Sequence, residues 1–158
     1  MESTEASAWE EASRATLADY AAVAEEYAAG NLDHDVSQNI NALLTPLLAE
    51  KEAPLDILDV CSASGRDLVT FTKLGHKAVG LDGVAEFCEM SRTRSGCEVW
   101  QQNLIKLELP PQMFDGIFCN ACLFHVRRLQ HALVVRLYFF LRFHLELCQL
   151  LYGRFAPH

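Results

Sequence analysis

The sequence predicts an α/β fold: an open parallel sheet flanked by helices. Three observations predict it. Short apolar runs recur at 55–60, 76–82, 97–102 and 114–120. Helical stretches separate the first three of them. A small or polar residue follows each run. Short apolar strands alternating with helices build a parallel sheet with helices on both faces.

Two helices precede the sheet. Residues 5–29 are rich in Ala and Glu, which are good helix formers, and Gly30-Asn31 supplies a stop. Residues 36–50 predict a second helix, with Asp35 placed to cap it and Ile40, Leu43, Leu44, Leu47 and Leu48 on one face. Pro46 lies inside it and predicts a kink or break. LDILDV (55–60) is too short for a buried helix and is flanked by turn residues, so it reads as the first strand. CSASGRD follows, then a helix over 68–74 that ends at Gly75. HKAVGLD (76–82) is the second strand, 84–93 a helix ending before Gly96, and CEVWQQ (97–102) the third strand. Pro110-Pro111 interrupts the chain before FDGIFCN (114–120), the fourth.

The segment 130–153 is the most apolar. Arg136, Arg142, His144 and Glu146 argue against a membrane span, since a central Arg costs roughly 2.5–3.5 kcal/mol even on the lenient insertion scale. An amphipathic C-terminal helix packed on the domain is expected.

Composition narrows the function. The chain has 158 residues, 51% hydrophobic and 22% charged, which suits one globular domain. Thirteen basic and twenty-one acidic side chains leave a charge of −8, which disfavours a nucleic-acid binder. The charge is uneven: residues 1–126 carry a net −12 and residues 127–158 a net +4. The acidic start has no apolar signal region, so a cytoplasmic location is expected, with all six cysteines reduced. Cys119 and Cys122 beside His125 suggest zinc or redox chemistry at first sight. Residues three apart on a strand point to opposite faces, and no second Cys pair has zinc-ribbon spacing, so no metal is expected.

In open parallel sheets ligands bind beyond the carboxyl ends of the strands. Here that rule selects Asp59 with the loop Cys61-Ser62-Ala63-Ser64-Gly65, then Asp82-Gly83, then Asn103, then Asn120. A loop of small residues lets backbone approach a ligand and opens a helix whose amides favour anions. An acid after the second strand can accept both hydroxyl hydrogens of a ribose. An amide such as Asn103 has a donor and an acceptor for a purine edge. Together they describe a site for a nucleoside-bearing cofactor, although each residue alone reads equally well as a turn.

The assembled strings LDILDVCSASGRDLVTFTKLGHKAVGLDGVAEFCEMSR and GCEVWQQNLIKLELPPQMFDGIFCNACLFHV resemble the S-adenosylmethionine-dependent methyltransferases with a Rossmann-like fold. They look most like bacterial-type, type 11-like enzymes acting on small molecules. The resemblance covers roughly residues 20–126. It implies a sheet order of 3-2-1-4, with Asp59, Cys61, Ala63 and Gly65 near the methionine end of the cofactor. Asp82 and Gly83 would lie at the ribose, Asn103 and Leu104 at the adenine, and Asn120 beside the sulfonium. Tyr27 and the DHDVSQN stretch would form part of a lid. Cys61 and Ala63 replace two glycines of the family, at about 1–2 kcal/mol each if their backbone is left-handed.

The resemblance ends near Val126, short of three further strands of the family. The chain therefore reads as a truncated methyltransferase in three parts: an N-terminal helical region (1–30), a cofactor-binding core (31–126) and a divergent basic, apolar segment (127–158). The fourth strand becomes an edge open to a partner or a second copy. The expected activity is methyl transfer to a small-molecule acceptor, with His125 as the candidate base if the acceptor starts protonated. A packed histidine at a strand end is the alternative for that residue. The rival functions are an inactive fragment or cofactor-binding module, and a nicotinamide-dinucleotide protein. Arg66 stands where the latter's fingerprint needs its third glycine.

Overall fold

A computed structural model describes residues 2–120. The expected helix over 130–153 and the residues His125 and Cys122 lie outside the described residues. Strands β1 (Asp56–Val60), β2 (Lys77–Asp82), β3 (Glu98–Gln101) and β4 (Gly116–Cys119) form one sheet in the order β3-β2-β1-β4. Every pairing is parallel. Asp59 stands between Gly80 and Phe118, and Asp82 stands opposite Gln101. The predicted sheet, its order and its four strands are therefore present.

Alternation along β1 builds two faces. Ile57 points to one, where helix α3 (Ser37–Glu50) contributes Ile40, Leu44 and Leu47, and Phe71 packs edge-on against Phe118 with ring centres 5.3 Å apart. Phe71 and Leu68 belong to α4 (Arg66–Lys73), and Cys88 to α5 (Ala85–Ser95). Leu58 and Val60 point to the other face and pack with Leu81, Leu107, Leu109 and Phe114. Among the described residues that second face is covered by the β3–β4 connector, with a 3-10 turn at Leu104–Lys106, rather than by a helix.

Three helical expectations are corrected. The helix read over 5–29 is two helices, α1 (Glu2–Ala22) and α2 (Ala24–Asn31), broken at Val23 with φ −121° and ψ 17°. The break turns the chain so that Tyr20 and Tyr27 both reach Phe87 of α5, with ring centres 6.1 and 5.5 Å from it. The break expected at Pro46 does not occur: α3 runs through it, anchored by buried residues on both sides. The cap position of α3 is Val36 rather than Asp35; Asp35, one residue earlier, accepts a hydrogen bond from the Ser37 amide at 2.9 Å, and that bond lowers its pKa.

Cys61, Cys88 and Cys97 are free thiols, as expected. Cys119 is disulfide-bonded, which corrects the expectation of six reduced thiols. β4 ends at Cys119, so strand alternation does not extend past it. Among the described residues, no helix is long and apolar enough to cross a membrane, and no cluster of ligands suits a metal.

Candidate functional site

The site is built at the carboxyl ends of the strands. β1 delivers the chain into a turn in which Cys61, Ala63 and Gly65 all have positive φ, at 60°, 43° and 78°. The turn is held by Ser62 N–H donating to Leu81 O and Gly65 N–H donating to Ser62 O. Its conformation is therefore set by β2 and by its own backbone. Only one of the three left-handed positions carries glycine, so two of them bear the cost of a Cβ, about 1–2 kcal/mol each. Gly65 is required on steric grounds as well, because a Cβ there would lie 2.7–3.0 Å from Ser91 of α5.

Asp82 ends β2 and ties the turn to it. Its Oδ2 accepts from Ala63 N–H at 3.0 Å and its Oδ1 from Val84 N–H at 2.9 Å. Burial raises its pKa, against the lowering effect of these amides. The Gly83 amide also bonds to it, so three amides draw on the carboxylate and about one of its four acceptor sites is left for a ligand. Asp59 is buried on the helix-covered face beneath the turn, and its Oδ2 has no hydrogen-bond partner. Burial first, then the charges of Asp67 and Asp82, push its carboxyl well above the ordinary range, with Arg66 opposing. Arg66 is held by both Asp67 oxygens and by Asn31 O, so it stitches the start of α4 to the end of α2. Burial likewise raises the Cys61 thiol well above its usual pKa, which leaves it protonated.

A cavity of about 160 Å³ lies over these tips. Cys61, Ala63, Asp82, Gly83, Asn103, Leu104 and Asn120 all line it, so it touches the segments that follow all four strands. Asp59 and Gly65 do not: Asp59 lies beneath the turn and Gly65 faces α5. Asn120 is tied to Asn39 of α3 by a 3.0 Å hydrogen bond between their side chains. The candidate base His125 lies outside the described residues.

The roof differs from expectation. Tyr27 lines the cavity, but residues 33–39 do not. Helix α1 supplies Trp9, Ala12, Ser13, Thr16, Leu17 and Tyr20 instead. It is clasped across the site by Ser13 Oγ donating to Asn103 Oδ1 at 3.0 Å, and by Lys106 with Glu10 at 2.8 Å. The hydrogen bond from Lys106 lowers the pKa of Glu10. Positions 9, 12, 13, 16, 17 and 20 fall on one helical face. That spacing was the available signal, and the Ala/Glu background obscured it.

Residues 57–142 match the family model described as methyltransferase domain. The match runs past Val126, where the resemblance read from the sequence ends. Among curated proteins, none matches the sequence. The fold is similar to that of 1,6-didemethyltoxoflavin-N1-methyltransferase from Burkholderia thailandensis, solved with 1,6-didemethyltoxoflavin and S-adenosylhomocysteine. The TM-score is 0.64 at 21% identity, covering 84% of this chain and 59% of that one. Phosphoethanolamine N-methyltransferase 1 from Haemonchus contortus, in complex with phosphoethanolamine and S-adenosylhomocysteine, gives 0.62 at 12% identity, covering 84% and 30%. DhpI in complex with SAH gives 0.52 at 27% identity, covering 68% and 52%. The chain thus spans less than two thirds of the length of each of these proteins.

Proposed function

The chain belongs to the methyltransferase-domain family, and on that premise we propose that it binds S-adenosylmethionine at the four strand tips and transfers its methyl group to a small molecule. The observation that carries this reading is one cavity bounded by Asp82, Asn103 and Asn120, with the 61–65 turn pinned to Asp82. The residues present fit such a ligand. Asp82 retains an acceptor site for a ribose hydroxyl, with Gly83 beside it. Asn103 and Leu104 suit the edge and face of a base. Asp59 carries a buried oxygen without a partner beneath the turn, in the layer that supports the methionine end without lining the cavity. Cys61, Ala63 and Gly65 shape the turn around that end, and Asn120 stands next to it.

The bound sulfonium is itself an activated methyl donor, so the protein's task is to hold donor and acceptor in line. Tyr20, Tyr27 and Phe87 form an aromatic wall that excludes water from the roof. His125 is the proposed base where the acceptor begins protonated. The net charge, and the phosphoethanolamine and 1,6-didemethyltoxoflavin bound in the two methyltransferase structures above, support a small acceptor over a nucleic acid. A cytoplasmic location belongs to the same reading, as does pairing of a partner at the outer edge of β4. Among the described residues β4 pairs only with β1.

A second reading, a cofactor-binding module without transferase activity, is favoured by the two strained non-glycine residues in the turn. Thermal unfolding with S-adenosylhomocysteine tests the binding that both readings share. A rise in Tm that grows with ligand concentration is expected, and no rise at millimolar ligand rejects both. Methyl transfer from labelled donor to a panel of small acceptors then separates the two.

A further inference from the structure

We propose that Ser13 determines how the base is read: it occupies the amide oxygen of Asn103, so the base meets only N–H donors at that residue. The inference rests on the cofactor reading above and adds a specificity-determining residue to it. The orientation of the Asn103 amide is unambiguous. Ile105 N–H, which can only donate, bonds to Oδ1 at 3.2 Å. Ser13 Oγ bonds to the same oxygen at 3.0 Å. A carbonyl oxygen has two lone pairs, and both are taken.

The Nδ2 group keeps two hydrogens that no acceptor among the described residues takes, and Asn103 lines the cavity. A 6-amino group on a purine is a donor and finds no acceptor there. A ring nitrogen or a 6-oxo group is an acceptor and is paired. The site is thereby poor at choosing adenine over a 6-oxo purine, as long as α1 holds Ser13 in place. The ion pair of Glu10 with Lys106 secures the same helix without touching the amide.

The test is calorimetric titration of the full chain with S-adenosylhomocysteine and with its 6-oxo counterpart, S-inosylhomocysteine. The wild-type protein is expected to bind the two within about threefold of each other. Ser13→Ala frees one lone pair while Ile105 keeps the amide oriented. It should raise the preference for the adenine ligand about three- to tenfold, the range of one neutral hydrogen bond. Glu10→Gln removes the Lys106 ion pair but leaves the Ser13 to Asn103 hydrogen bond in place, so it should move both affinities alike and leave the preference unchanged. The inference is overturned if the wild-type protein prefers adenine by more than tenfold, if Ser13→Ala leaves the preference unaltered, or if Glu10→Gln alters it as much as Ser13→Ala. In those cases adenine binding persists and the cofactor reading survives. If neither ligand binds the wild-type protein, the cofactor reading fails and takes the inference with it.

Discussion

Gly65→Ala puts the turn's geometry at risk in a way that can be worked from the structure. Gly65 sits at φ 78° and ψ 18° at the start of α4. The left-handed conformation costs an alanine about 1–2 kcal/mol. The new Cβ would also lie 2.7 Å from Ser91 Oγ, 2.8 Å from its Cα and 3.0 Å from its carbonyl oxygen. Ser91 is fully buried and two of those atoms are backbone, so α5 must shift, at about 1–3 kcal/mol for overpacking. Together these give a loss of about 2–5 kcal/mol. For a chain of this size that is a fall in Tm of roughly 4–20 °C.

Ala63→Gly runs the other way. Ala63 is at φ 43°, and glycine relieves about 1–2 kcal/mol there while returning about 0.4–1 kcal/mol of freedom to the unfolded chain. A net gain of about 0.5–1 kcal/mol is expected. Urea and thermal unfolding followed by circular dichroism measure both variants. A Gly65→Ala protein within about 1 kcal/mol of wild type would refute the reasoning, and so would an Ala63→Gly protein destabilised by more than about 1 kcal/mol.

Two buried groups make opposite predictions for pH. Asp59 has its folded pKa raised, so the stability it contributes is fully present below about pH 4 and is lost as pH rises through the folded value. Asp59→Asn should therefore be the more stable protein at pH 7, by about 1–3 kcal/mol, with the difference vanishing toward pH 4. It should also bind S-adenosylhomocysteine more weakly. Equal unfolding curves for the two proteins across that range would sink this. Burial lowers the pKa of His76, whose Nδ1 accepts from Leu55 N–H at 3.2 Å. That contribution is complete above about pH 6.5 and is lost as pH falls below it toward the folded value. His76→Phe should cost about 1–2 kcal/mol at pH 7 and remove that acid sensitivity. A variant that keeps the same slope between pH 5 and 7 would assign the sensitivity elsewhere.

Much of the fold was legible because the strands are short, apolar and bracketed by turn residues. LDILDV, HKAVGLD, CEVWQQ and FDGIFCN each contain the strand found there. The residues after them line one cavity because parallel strands end on the same side. What escaped the sequence depends on distant packing. The break at Val23 follows from two tyrosines converging on Phe87, 60 residues or more away in the chain. α3 passes through Pro46 because its apolar face is anchored on both sides of the proline. The resemblance places Tyr27 and residues 33–39 in part of the roof; Tyr27 is there, whereas α1 takes the place of 33–39, with Ser13 and Glu10 bonding the β3–β4 connector. The replacement of two glycines by Cys61 and Ala63 was visible as a departure. Only the backbone angles show that both positions are left-handed.

Amide chemical shifts of the isotope-labelled protein, followed as S-adenosylhomocysteine is added, put the central claim to the most direct test. The largest changes should gather at residues 61–65, 82–84 and 103–105, together with Ser13 and its neighbours on α1. Changes centred elsewhere, or a spectrum that does not move at millimolar ligand, would contradict the placement of a methyl donor at the strand tips.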